Sequence, residues 1–196
     1  YFIHNPAKEV SAQANPSVAL KEIVEVEDYL KLLLTPSHNQ EVSEAFIYCL
    51  YTGLRWADVS VLRWKEIKEE RVTTRMIQVK TGKPVVITMH PIALQIMDRQ
   101  RAKQEAIEPE DLVFDLPSLN GANKMLDCWV KDAGIDKYFT WSCARLSFSI
   151  LLQDERVDLA TIAYMLGHTT TKQVERAYKR HRPKAQSEAI SLLPSI

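Results

Sequence analysis

A single block of β-branched residues stands in a chain otherwise patterned for helices, and that contrast restricts the folds open to it. Residues 71–80 read Arg-Val-Thr-Thr-Arg-Met-Ile-Gln-Val-Lys and residues 84–89 read Pro-Val-Val-Ile-Thr-Met, separated by Thr81-Gly82-Lys83. This composition suits a β-hairpin. Around it, apolar residues recur every three or four positions over 26–34 and 40–51, as one buried face of a helix requires. Gly53 fits the left-handed position that ends the second of these. A short helix is predicted over 55–62 with Arg55 at its start, and Pro91 can open another running to about residue 105. Residues 118–133, stopped by Gly134, and residues 142–153, 158–166 and 171–181 supply four more. The expected fold class is α+β, predominantly α-helical, with one small antiparallel sheet inserted.

The 196 residues, 46% of them hydrophobic, suit one compact domain. No run of about 18 apolar residues and no basic-then-apolar leader is present, so a soluble, intracellular (cytoplasmic) protein with no membrane partner is expected. Cys49, Cys128 and Cys143 are odd in number and sit among apolar neighbours, and all three are expected to be reduced, buried and structural. Residues 1–19 carry Pro6 and Pro16 without sustained periodicity and read as a linker from an N-terminal domain not included in the chain, leaving 20–196 as the domain proper. Charge does not advertise a partner: 25 basic residues balance 25 acidic ones. Their distribution is less even. Lys172, Arg176, Lys179, Arg180, Arg182 and Lys184 crowd the C-terminal stretch against Glu175 alone, and Arg63, Lys65, Lys68, Arg71, Arg75, Lys80 and Lys83 form a second run. Such runs are usually solvated faces.

Four short motifs follow one another in an informative order. Thr52-Gly53-Leu54-Arg55 precedes Asp58 and Leu62-Arg63-Trp64; Gln78-Val79-Lys80-Thr81-Gly82-Lys83 lies on the expected hairpin; Thr140-Trp141-Ser142-Cys143-Ala144-Arg145 leads to Phe148; and Leu166-Gly167-His168 comes ten residues before Tyr178. Each alone is a weak pattern, but the ordered set over roughly 130 residues is hard to obtain by chance. In these motifs the chain resembles the catalytic domain of tyrosine recombinases, and over about residues 20–185 it is most similar to the integrases of phages and conjugative elements.

The resemblance implies a chemistry and a role for each residue. Tyr178 would attack a DNA phosphate to give a 3′-phosphotyrosyl link and a free 5′-hydroxyl, conserving the bond energy for rejoining. Arg55 and Arg145 would hold the non-bridging oxygens as charge gathers on them, with Arg145 near the start of its helix, where free N–H groups also favour an anion. Lys80 would protonate the leaving 5′-oxygen, with Lys83 as runner-up, and His168 would bond a non-bridging oxygen or assist proton transfer. Asp58 would brace the site, although a plain ion pair with Arg55 three residues earlier is also open. The competing readings are a core or interface tyrosine for Tyr178 and a helix-terminus histidine for His168.

One departure weakens the match. The family's box places a histidine three residues before the second arginine, where this chain has Ser142, and Leu146 stands where many relatives have another. Serine donates a hydrogen bond but is no base near neutral pH. The function expected is therefore site-specific DNA recombination, integration or excision, with weaker activity; a DNA-binding homologue that no longer cuts is the alternative, and a helical interaction module is a third. Double-stranded DNA is the expected partner, with a monomer in solution and a tetramer on DNA, associated with the nucleoid. No cofactor is called for, and the dispersed histidines suggest no metal site. Ala189, Ile190, Leu192 and Leu193 form a short amphipathic tail helix of the kind that docks on a neighbouring protomer in relatives.

Overall fold

A computed structural model describes residues 20–78 and 82–182. The N-terminal connector, Lys80 and the amphipathic tail around Ile190 lie outside the described residues.

The element that organises the fold is buried nearly all round. Helix α2 (Gln40–Thr52) is capped by Asn39, whose side chain accepts the Val42 N–H at 2.9 Å, and it buries Val42 through Leu50 without a polar face. It packs against α6 (Trp141–Asp154), with Phe46 edge-on to Trp141 at 5.8 Å. Its one buried carboxylate, Glu44, accepts from Arg99 at 2.7 Å and Gln100 at 2.6 Å on α4 (Pro91–Ala102). Gly53 then ends α2 with φ 67°, donating its N–H to the Cys49 carbonyl at 2.8 Å. A Cβ at Gly53 would stand 2.7 Å from the Phe148 ring, so the close approach of α2 to α6 requires glycine there.

In front of α2 lies α1 (Val26–Leu34), capped where Asp28 accepts the Glu25 N–H at 3.0 Å. After α2 comes α3 (Trp56–Val59), with Arg55 as its N-cap. The helix expected over 55–62 is thus cut to one turn. The backbone of Leu62 and Trp64 is taken by a remote segment: Val113 donates to the Leu62 carbonyl at 2.9 Å, and Trp64 donates to that of Asp111 at 3.1 Å.

The sheet is antiparallel in the order β1 (Ile67–Lys68), β2 (Arg71–Ile77), β3 (Pro84–Thr88), with Val72 opposite Ile87. The hairpin expected from the sequence is present, and β1 is an addition too short to leave a pattern. Val72, Thr74 and Met76 on β2 and Val85 and Ile87 on β3 face inward. Helix α4 begins at Pro91 and stops at Ala102, three residues short of expectation. On α5 (Leu119–Asp132) the buried stripe is Ala122, Leu126, Trp129 and Val130. Cys128 precedes Trp129 by about 100° of helical turn and is exposed, which corrects the expectation of three buried thiols; Cys49 and Cys143 are buried, and none of the three is in a disulfide.

Two short helices complete the fold. Asp158 caps α7 (Leu159–Met165) by accepting the Thr161 N–H at 2.9 Å, and α8 (Lys172–His181) inserts Val174 against Phe148, Ile162 and Leu166. Beyond α8, Arg182 donates to both carboxylate oxygens of Glu25 at 2.8 and 2.9 Å and to Asp154 at 2.9 Å, while the His181 ring meets the Lys21 carbonyl at 2.9 Å. No helix among the described residues is long and apolar enough to cross a membrane.

Candidate active site

Arg145 is the fifth residue of α6, a full turn inside the helix rather than at its start, and its side chain reaches across three elements. Nη1 donates to the Gly53 carbonyl at 2.6 Å and Nη2 to the Leu166 carbonyl at 2.5 Å, with the Met76 sulfur 3.7 Å from Nη1. Both carbonyls are available because the helices that carry them end there: Gly53 closes α2, and Leu166 follows α7. With the Met76 sulfur beside Nη1 and the His168 ring beside Nη2 as well, both terminal nitrogens are engaged and the fork is fixed before any ligand arrives. The free N–H groups expected beside it are also partly used, since the Trp141 N–H donates to Asn123 at 2.9 Å.

His168 is held next to Arg145 by a second glycine. Gly167 has φ 62°, and a Cβ on it would come within 3.0 Å of the Met76 Cβ, so the turn after α7 can press against β2 only without a side chain. The His168 N–H donates to the Ala163 carbonyl at 2.8 Å, and its Nε2 lies 3.4 Å from Arg145 Nη2. A guanidinium only donates, so Nε2 is the accepting nitrogen and the hydrogen of the neutral ring sits on Nδ1.

Arg55 approaches from the other side. As N-cap of α3 it is exposed, and its backbone N–H donates to Asp58 Oδ2 at 3.3 Å. Arg55 and Arg145 line one hollow of about 470 Å³ with Ser142, Thr140, Trp56 and Trp141. The two indoles meet edge to face at 4.6 Å and form an apolar wall that keeps the local dielectric low. Ser142 is exposed on this wall, 3.1 Å from the Thr140 hydroxyl.

The titration behaviour reflects this crowding of positive charge. Burial, then the neighbouring Arg55, pushes the Arg145 guanidinium down to about 10, with Asp58 opposing. Burial, then Arg145 and Arg55, pushes the His168 imidazole down to about 4. The imidazole is therefore neutral near pH 7. Burial alone would disfavour charge of either sign, but the part of these shifts that comes from Arg55 and Arg145 favours an anion.

Of the residues singled out from sequence, the structure thus gathers Arg55, Arg145, His168, Asp58 and Ser142. Tyr178 lines a different hollow. It is half-buried on α8, in a hollow of about 290 Å³ lined also by Gln153, Leu159, Glu175 and Lys179, and none of the gathered residues lines that hollow. Lys80 falls outside the described residues. Sequence reasoning passes over Asn123, which caps α6 and lines the arginine hollow; an isolated asparagine on an amphipathic helix carries no signal. The carbonyls of Gly53 and Leu166 are equally invisible to it, because any residue has one.

The model of the phage integrase family matches residues 22–185. The chain belongs to the phage integrase family. Comparison with curated proteins finds no match. Among solved structures, this integrase domain is similar in fold to the XerA recombinase, with a TM-score of 0.72 and 16% identity over 92% of this chain and 67% of that one. It is also similar to the XerH site-specific recombinase bound to palindromic difH substrate in a post-cleavage complex, with a TM-score of 0.71 and 20% identity over 98% of this chain and 59% of that one. The catalytic domain of bacteriophage HP1 integrase matches with a TM-score of 0.60 and 17% identity, over 89% of this chain and 96% of that one. The chain spans 67% of XerA and 59% of XerH. The mostly helical fold with its small antiparallel sheet and the tyrosine recombinase resemblance read from the four motifs are both borne out.

Proposed function

We propose that this integrase domain cleaves and rejoins duplex DNA at specific sites through a 3′-phosphotyrosyl intermediate on Tyr178. The observation that carries the reading is the hollow lined by both Arg55 and Arg145, with the His168 ring 3.4 Å from the Arg145 guanidinium. A phosphodiester seated there would meet Arg55 and the Arg145 guanidinium. As the phosphorus becomes pentacoordinate, negative charge grows on its non-bridging oxygens, and a fork already fixed by two carbonyls needs no reorganisation to stabilise it. Tyr178 gives up its phenolic proton to water as its oxygen forms the new P–O bond, the bond to the 5′-oxygen breaks, and Lys80 supplies the proton that the leaving oxygen requires. Reversal by a 5′-hydroxyl of another strand rejoins DNA. Tyr178 stands on α8 in a hollow of its own, and attack brings its phenol to the phosphate that the arginines hold.

A nicked duplex that loses its 5′-terminal fragment after cleavage traps the covalent protein–DNA adduct. The wild-type chain is expected to form it, and Tyr178→Phe is expected to form none. Wild-type binding without any adduct would favour the second reading, a DNA-binding homologue that no longer cuts, to which Ser142 in the position of the family's histidine already points.

A further inference from the structure

Helix α8 carries a row of cations that helix physics alone does not explain. Lys172, Arg176 and Arg180 stand four residues apart on one stripe, a spacing at which like charges repel, and Lys179 adds a fourth. The helix dipole favours Lys179 and Arg180 in the last turn, but it disfavours Lys172, the first residue of α8. The one acid on the helix, Glu175, is engaged by the Thr171 hydroxyl at 2.7 Å. None of the four cations has an ion-pair or side-chain hydrogen-bond partner among the described residues. Elsewhere Arg63, Lys65, Arg75, Arg99, Lys103 and Arg182 each meet a carboxylate.

The row is also a ridge. Lys172, Arg176 and Arg180 line two hollows at once: one of about 370 Å³, whose other wall includes Lys21, Leu146 and His181, and one of about 400 Å³ shared with Lys179. Lys179 also lines the hollow of Tyr178, so the ridge adjoins the nucleophile's hollow. From residue 172 to 180 it extends about 12 Å, at roughly 1.5 Å per residue, the length over which one strand carries three to four phosphates when projected on the duplex axis at about 3.4 Å each.

We propose that this ridge is a second anion track, separate from the arginine hollow, that holds the sugar-phosphate backbone of DNA flanking the reacting phosphate. It rests on the reading that the chain acts on DNA. The track touches phosphate alone and carries no sequence preference. An acidic protein surface would also be drawn to a cation row, but the regular spacing of charges along one line fits a polyanion of regular repeat.

The test measures duplex binding by fluorescence anisotropy at several salt concentrations for the full chain and for a Lys172→Gln, Arg176→Gln, Arg180→Gln triple variant. The plot of log affinity against log salt should become shallower by about 2.7, at about 0.9 for each phosphate no longer neutralised, and equally on duplexes of unrelated sequence. A control triple of equal charge change, Lys31→Gln, Lys68→Gln, Lys131→Gln, should leave the slope in place. Matching melting temperatures exclude misfolding. A variant that keeps the wild-type slope, weakens no more than the control, or changes only self-association overturns the track while leaving the adduct test untouched. A wild-type chain that binds no duplex overturns the parent reading and the track together.

Discussion

His168 shows how the hollow would report its ligand. Its imidazole is held near 4 by burial and by Arg145 and Arg55, against an ordinary value near 6.5. Between those values the unfolded chain binds more protons than the folded one, so this histidine's contribution to stability is complete above pH 6.5 and is lost as pH falls toward 4. An anion between the guanidinium groups offsets the part of this shift that Arg145 and Arg55 cause. Inorganic phosphate is therefore expected to move the His168 titration midpoint upward from about 4, followed by the ring-proton shift in NMR; a midpoint indifferent to phosphate would remove the histidine from the anion site. Ser142 makes a complementary prediction. It lines the hollow with both arginines and lacks a base, so Ser142→His should raise single-turnover adduct formation by about 10-fold or more, within the range of general acid–base assistance. No gain would separate this position from the proton chemistry.

Helix ends supply the anchors that hold Arg145. Gly53 holds a left-handed conformation 2.7 Å from where a Cβ would strike Phe148, and its carbonyl anchors Arg145. Gly53→Ala is expected to cost about 1–3 kcal/mol in backbone strain alone, or roughly 2–4 °C of melting temperature per kcal/mol. Adduct formation should fall further than melting explains, because Arg145 loses one of two anchors; equal loss of both would make Gly53 a purely structural residue. These ends are partly legible in the sequence. Gly53 reads as a left-handed stop and Arg55 as a helix start, because capping leaves local marks. The true length of α3 is not legible, because the segment that captures Leu62 and Trp64 lies near residue 112, and pairing across such a distance leaves no local period. Cys128 misleads for a related reason, since apolar neighbours in sequence do not say which way a helix position turns.

At the scale of the molecule, overall neutrality hides a division of labour. Arg75 of the sheet and Arg99 and Arg101 of α4 pair with carboxylates, whereas the lysines and arginines of α8 have no such pair among the described residues, so net charge understates the capacity for a polyanion. The motif order makes the arginines, the histidine and the tyrosine legible as a set, yet their separation into two hollows is not, since it depends on how α8 sits on α6. If neighbours on DNA assist the attack, the chain should sediment as a monomer alone and as a tetramer on a recombination site. Sedimentation velocity with and without that duplex decides this, and a stable tetramer without DNA would contradict it.

The salt-linked cluster of Arg182 with Glu25 and Asp154 has a mechanical meaning. It knots the start of α1 to the far end of the helix bearing Tyr178, only four residues downstream of the phenol. Tension applied ahead of Glu25 would therefore be felt by the nucleophile almost without slack, as a bell-pull is felt by its clapper.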